Sequence, residues 1–154
     1  MTRPSVVLDT NIVLDWLVFG NAECLSLGER VRSGDWRWIA SDAMRQELEA
    51  VLQYPAIQRW QPDVEQVQRC WLEWVCVVPD SAVSPLRCTD GDDQKFIDLA
   101  IEHQARWLIS RDRALLKLAR LAKRWNVQVT TPTGLQAAEP AGILAASAAV
   151  TSLR

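Results

Sequence analysis

Ser5-Val6-Val7-Leu8-Asp9-Thr10-Asn11-Ile12 is the stretch that decides the fold. A short apolar run without alternation, bounded by turn residues, is the pattern of a strand covered on both faces. Asp9-Thr10-Asn11 then reads as a turn, and a helix is expected from about Ile12. A strand feeding directly into a helix is the first half of a βαβ unit, so further strand–helix pairs are expected downstream.

They are there. Trp38-Ile39-Ala40 is a second short strand, and Ser41-Asp42 caps a helix running to about Tyr54. Pro62-Asp63 opens a helix through Trp74, and Val75-Cys76-Val77-Val78 is a third strand stopped by Pro79. Asp80 to Asp92 is a loop rich in Ser, Pro, Gly and Asp, followed by a helix from about Asp93 to Gln104. Trp107-Leu108-Ile109-Ser110 is a fourth strand. A basic helix is expected over about Arg113 to Trp125, then the strand Val127-Gln128-Val129-Thr130 and a last short turn of helix after Pro132-Thr133-Gly134. Strands alternating with helices imply right-handed crossovers, hence a three-layer α/β/α sandwich with a mostly parallel sheet of about five strands.

The 154 residues suffice for one domain, expected over 1–138, with an alanine-rich tail over 139–154 that is either frayed or a docking segment. Apolar residues make up 49% and charged residues 23%, an ordinary globular balance. The formal charge of −2 excludes a protein held to nucleic acid by bulk charge, yet leaves room for a locally basic surface. The eight tryptophans are spread along the chain and are expected in the core and at interfaces. Cys24, Cys70, Cys76 and Cys88 form no CxxC and no zinc-type pairing with the single His103, so buried thiols are expected. The opening residues lack the apolar core of a signal peptide, and Ala141 to Val150 is too short to span a bilayer. No membrane association and a cytoplasmic location are therefore expected.

In parallel sheets ligands sit beyond the carboxyl ends of the strands, at the switch point. Asp9 follows the first strand, Glu47 lies in the helix after the second, Asp93 opens the helix after the third, and Asp112 follows the fourth. Each acid alone has an ordinary explanation. Asp9 and Asp112 can cap helices, Asp93 and Asp92 can complement a helix dipole, and Glu47 beside Arg45 and Glu49 can be solvated. Together they reach one edge of the fold, where carboxylates repel unless a cation joins them. An all-oxygen site suits Mg²⁺ or Mn²⁺, and two such ions roughly 3.5–4 Å apart can activate water and stabilise the leaving oxygen of a phosphodiester.

These segments resemble the PIN-domain family. Val7 to Ile12 is similar to its opening strand and turn, and Ser41 with Glu47-Leu48 and Val51-Leu52 to its second acidic helix. Asp90 to Ala100 resembles the third motif, Leu108-Ile109-Ser110-Arg111-Asp112 the fourth, and Thr131-Pro132 the closing strand. The resemblance covers residues 5 to 136 and is nearest to a subgroup of toxins of toxin–antitoxin pairs. It implies that Asp9, Glu47, Asp93 and Asp112 are catalytic, metal-binding acids, with Thr10, Asn11 and Ser110 orienting ligands or water behind them. Asp93 takes the metal role because it heads the packed helix face with Ile97 and Ala100. Asp90 shares the motif, and Asp92 competes for the role. Ser110 stands where Thr is often found, which keeps the hydroxyl.

The implied activity is hydrolysis of RNA by metal-activated water, with an antitoxin as possible partner and a homodimer as the expected assembly. Between Arg106 and Arg124 there are seven basic residues and one acid. Arg113, Lys117, Arg120 and Arg124 are spaced to lie along one helix face, and with Arg111 they are the expected phosphate contacts. The rival reading is a catalytically silent PIN-like module that binds a protein partner or RNA, although such a module has no need to gather carboxylates. A phosphatase with Asp9 as nucleophile needs a second Asp at position 11, where this chain has Asn.

Overall fold

The structure, a computed structural model, describes residues 3–138. The tail expected over 139–154 lies outside the described residues.

Five strands form one sheet: β1 (Ser5–Leu8), β2 (Arg37–Ala40), β3 (Val75–Val77), β4 (Trp107–Ile109) and β5 (Gln128–Thr130). Between β1 and β2 lie α1 (Thr10–Leu17) and α2 (Ala22–Arg32). Between β2 and β3 lie α3 (Asp42–Leu52), α4 (Pro55–Gln58) and α5 (Val64–Trp74). A 3₁₀ turn at Gly91–Asp93 leads into α6 (Gln94–Glu102). After β4 come α7 (Arg113–Leu116), α8 (Ala119–Ala122) and a 3₁₀ turn at Lys123–Trp125, and α9 (Pro132–Ala138) follows β5.

Every strand pair is parallel, and the order is β3-β2-β1-β4-β5. The chain steps outward from β1 to β3, then returns to the other side of β1 and steps outward again. Right-handed crossovers running in opposite directions put their helices on opposite faces, which gives the three layers. The reversal lies between β1 and β4, whose register pairs Leu8 with Ile109. Asp9 and Ser110, the residues that leave these two strands, therefore flank the topological switch point.

The tryptophans build one side of the core. Trp16 lies 5.5 Å from Trp38 and stacks on Trp74 at 5.4 Å, and Trp38 meets Trp71 edge-on at 5.2 Å. Trp36 packs on Trp107 at 4.6 Å. Gly28 makes this possible, because a Cβ there would stand 2.1 Å from Trp16 Nε1. Trp60 is the exception to the expected burial, 62% exposed against Phe19.

Besides the short α4, which the sequence does not announce, the structure departs from the sequence-based expectation in three details. Helix α1 starts at Thr10, because Asp9 caps it: Asp9 Oδ1 accepts from the Ile12 amide at 2.9 Å. A separate α2 is the second. Its start is marked by Gly20 at φ 63° and by Asn21, whose side chain accepts from the amides of Glu23 and Cys24. The single basic helix expected over 113–125 is three short turns. The Leu118 amide bonds to Leu115 O, tightening the chain while Leu115, Leu118 and Ala122 stay buried, and Asn126 at φ 61° ends the segment. Arg113, Lys117, Arg120 and Arg124 are all exposed, but they do not share one continuous helix face.

Candidate metal centre

All four expected acids line one open cleft of about 160 Å³ at the carboxyl edge of β1 and β4, together with Thr10, Asn11, Val51 and Phe96. Asp9 stands at its floor, 4% exposed. Ser110 Oγ donates to Asp9 Oδ2 and accepts the Asp112 amide at 2.9 Å, so one buried hydroxyl ties the ends of both strands together. Burial pushes the Asp9 carboxyl up to about 6, against the lowering effect of Ser110 and the Ile12 amide.

Asp93 and Asp112 face each other. Asp112 caps α7 through its bond to the Ala114 amide at 2.7 Å. Burial, then the charge of Asp112 and a hydrogen bond to it, raise Asp93 to about 7, with smaller contributions from Asp90 and Asp9. Carboxylate oxygens of Asp90, Asp93 and Asp112 lie within 4.8 Å of one another. Of the two alternatives to Asp93 left open by the sequence, Asp90 is the one that joins the cluster, although Asp90 and Asp92 are both exposed. The loop before α6 is pinned in place for this. Asp98, buried, accepts from the Ser84 amide and from Gln94 Nε2 at 2.8 Å each, and Gln94 bonds Leu86 O and the Cys88 amide at 2.7 Å each.

Glu47 reaches the cleft from α3. Its Oε2 accepts from Thr10 Oγ1, and its Oε1 accepts from Lys95 Nζ at 2.7 Å. Nothing in the sequence marks Lys95 as a cleft residue: it lies beside the third acidic motif, but its partner is 48 positions away. Asn11 lines the cleft in an exposed position. Arg111, an expected substrate contact, pairs with Asp15 and with Glu23, which also accepts from Thr133 Oγ1 at 2.8 Å, and so links β4 to α1, α2 and α9.

The residues present fit a hard divalent cation. The donor set is all oxygen, and Asp93 Oδ2 is buried with no hydrogen-bond partner among the described residues. Such an orphaned carboxylate oxygen is costly unless something binds it.

The family model for the PIN domain matches residues 5–114, a span that contains every residue of the cleft. Among solved structures, one similar chain comes from the crystal structure of VapBC2 from Rickettsia felis bound to a DNA fragment from their promoter. The two share 15% sequence identity and a TM-score of 0.56, over 82% of this chain and 98% of that one. That likeness speaks for the fold. No curated protein matches the sequence. With more than half of its length matched by the family model and the acids gathered at the switch point, the chain belongs to the PIN-domain family, whose members are generally nucleases.

Proposed function

We propose that this protein is a metal-dependent endoribonuclease whose Mg²⁺ or Mn²⁺ is held by Asp9, Asp93 and Asp112, with Glu47 across the cleft. The observation that carries this reading is the orphaned Asp93 Oδ2 within a cluster of carboxylates that lack enough positive charge to balance them. A divalent ion bound there supplies Lewis-acid chemistry, activating a water for attack on phosphorus and offsetting charge on the leaving oxygen. Asp9 is fixed by the Ile12 amide and Ser110, so its oxygens are aimed before any ligand arrives. Thr10 orients Glu47, and Asn11 stands exposed at the rim to meet substrate. The exposed Arg113, Lys117, Arg120 and Arg124 are proposed to hold the phosphate backbone, each as a separate contact rather than as a stripe.

The structural neighbour belongs to a two-component assembly bound to promoter DNA. This supports a role as the toxin of a toxin–antitoxin pair, with an antitoxin as partner. A homodimer and a cytoplasmic location complete the proposal; no described helix is long and apolar enough to cross a membrane.

The test is cleavage of a mixed-sequence labelled RNA with Mn²⁺, Mg²⁺ or EDTA, comparing wild type with Asp9→Asn. Metal-dependent cutting lost in the folded variant is the expected result. Equal cutting by both proteins overturns the assignment.

A further inference from the structure

One acid of the cleft, Glu47, is already paired with a cation that the chain itself supplies. Lys95, in the first turn of α6, donates from Nζ to Glu47 Oε1 at 2.7 Å and to the carbonyl of Asp92. Its ammonium also stands 4.9 Å from the centre of the Phe96 ring, and its side chain is 27% exposed. The second oxygen of Glu47 is taken by Thr10 Oγ1. Both oxygens of this carboxylate are thus bonded to donors within the protein.

The other half of the cleft is different. Asp93 Oδ2 has no partner, and Asp90, Asp93 and Asp112 crowd together without a basic side chain paired to any of them among the described residues. The cleft is therefore divided between a neutralised side and an unneutralised one. A divalent ion ligated by Glu47 would have to displace the ammonium or sit against it, and like charges at such range in a partly buried site repel strongly.

We propose that Lys95 takes the place of a second divalent ion at Glu47, so that the free protein binds one ion, on the Asp93–Asp112 side. Lys95 is then a positioning residue: it holds Glu47 across the cleft and sets the number of metal ions. This rests on the metal-dependent reading of the cleft.

The experiment is a titration of Mn²⁺ into the metal-free full-length protein by calorimetry, with bound ions counted by electron paramagnetic resonance. Wild type and Lys95→Arg, which keeps the charge, are expected to bind one ion. Lys95→Met, which keeps the stem but removes the charge, is expected to bind two, and Lys95→Gln provides a second neutral variant. The double variant Lys95→Met with Glu47→Gln is expected to return to one. Two ions in wild type, or one in both neutral variants, overturn the proposal while leaving the metal centre standing. No Mn²⁺ bound by wild type overturns the metal centre itself, and the proposal with it.

Discussion

Asp9→Asn is expected to stabilise the metal-free protein at neutral pH while abolishing its response to metal. Asp9 is 4% exposed, and burial raises its carboxyl from 3.8 to about 6. Below about pH 3 the acid is protonated in both folded and unfolded chains and its ionisation costs nothing. As pH rises, the unfolded chain ionises first. Stability falls until the folded carboxyl also ionises, so the full penalty is present above about pH 7. Each tenfold change in acidity corresponds to about 1.4 kcal/mol, which puts that penalty at roughly 3 kcal/mol. Asparagine keeps an acceptor for the Ile12 amide and offers Ser110 Oγ a donor, so the charge is removed without emptying the site. For a domain of this size the gain corresponds to a rise in Tm of roughly 6–12 °C. The assay is urea unfolding in EDTA from pH 3 to pH 8. The two proteins should agree at the acid end and separate as pH rises. Adding Mn²⁺ at a hundred times its Kd should restore about 2.7 kcal/mol to wild type and nothing to the variant. A variant less stable than wild type at pH 7.5 in EDTA, or a difference that is flat across the pH range, refutes the reasoning.

Three further outcomes test other parts of the structure. Ser110→Ala removes a fully buried hydroxyl that serves both Asp9 and the Asp112 amide, and is expected to cost about 1–3 kcal/mol in urea unfolding. The same change should weaken Mn²⁺ binding about 10–100-fold by calorimetry, and Ser110→Thr should restore most of it. Gly28→Ala drives a methyl into Trp16; the resulting overpacking should lower stability by about 1–3 kcal/mol, although alanine favours a helix by about 1 kcal/mol, and a higher urea midpoint would show that Trp16 moves aside freely. Replacing Arg113, Lys117, Arg120 and Arg124 by Gln should raise KM for RNA with kcat unchanged. It should also reduce the salt slope of RNA binding by about 0.7 for each phosphate that is no longer neutralised, and an unchanged slope would remove these residues from the substrate surface.

How much of this is legible in the sequence depends on the range of the forces involved. Strands β1, β2 and β4 are readable because each holds a short apolar run closed by Asp or Ser, and β3 and β5 because their β-branched residues run up to Pro79 and Pro132. The break at Leu118 is not readable. The residues from 113 to 125 include good helix formers, and the chain tightens there because Leu115, Leu118 and Ala122 must all stay buried beside β5. Helix α2 is readable in principle from Gly20-Asn21, a stop followed by a cap. Lys95 is not, because an ion pair between α6 and α3 depends on side-chain reach across the cleft rather than on any spacing along the chain.

The convergence of the acids rests on one fact that their order along the chain leaves open. Four strands each followed by an acid place four carboxylates on one edge of a parallel sheet, but an edge is long. Were the strands arranged in chain order, β1 and β4 would stand three spacings apart, or roughly 14 Å, and Asp9 could not share a site with Asp112. In the observed order β4 returns to lie directly beside β1, and the bridge from Ser110 to Asp9 becomes possible. The return itself follows from the lengths of the connections. The segment from β3 to β4 contains the long pinned loop and α6, enough chain to pass under β2 and β1, and α6 packs against both β1 and β4. Asp98 and Gln94, which anchor that loop, therefore support the proposed metal centre without lining the cleft: they fix the entry to α6, and with it the positions of Asp90, Asp93 and Lys95.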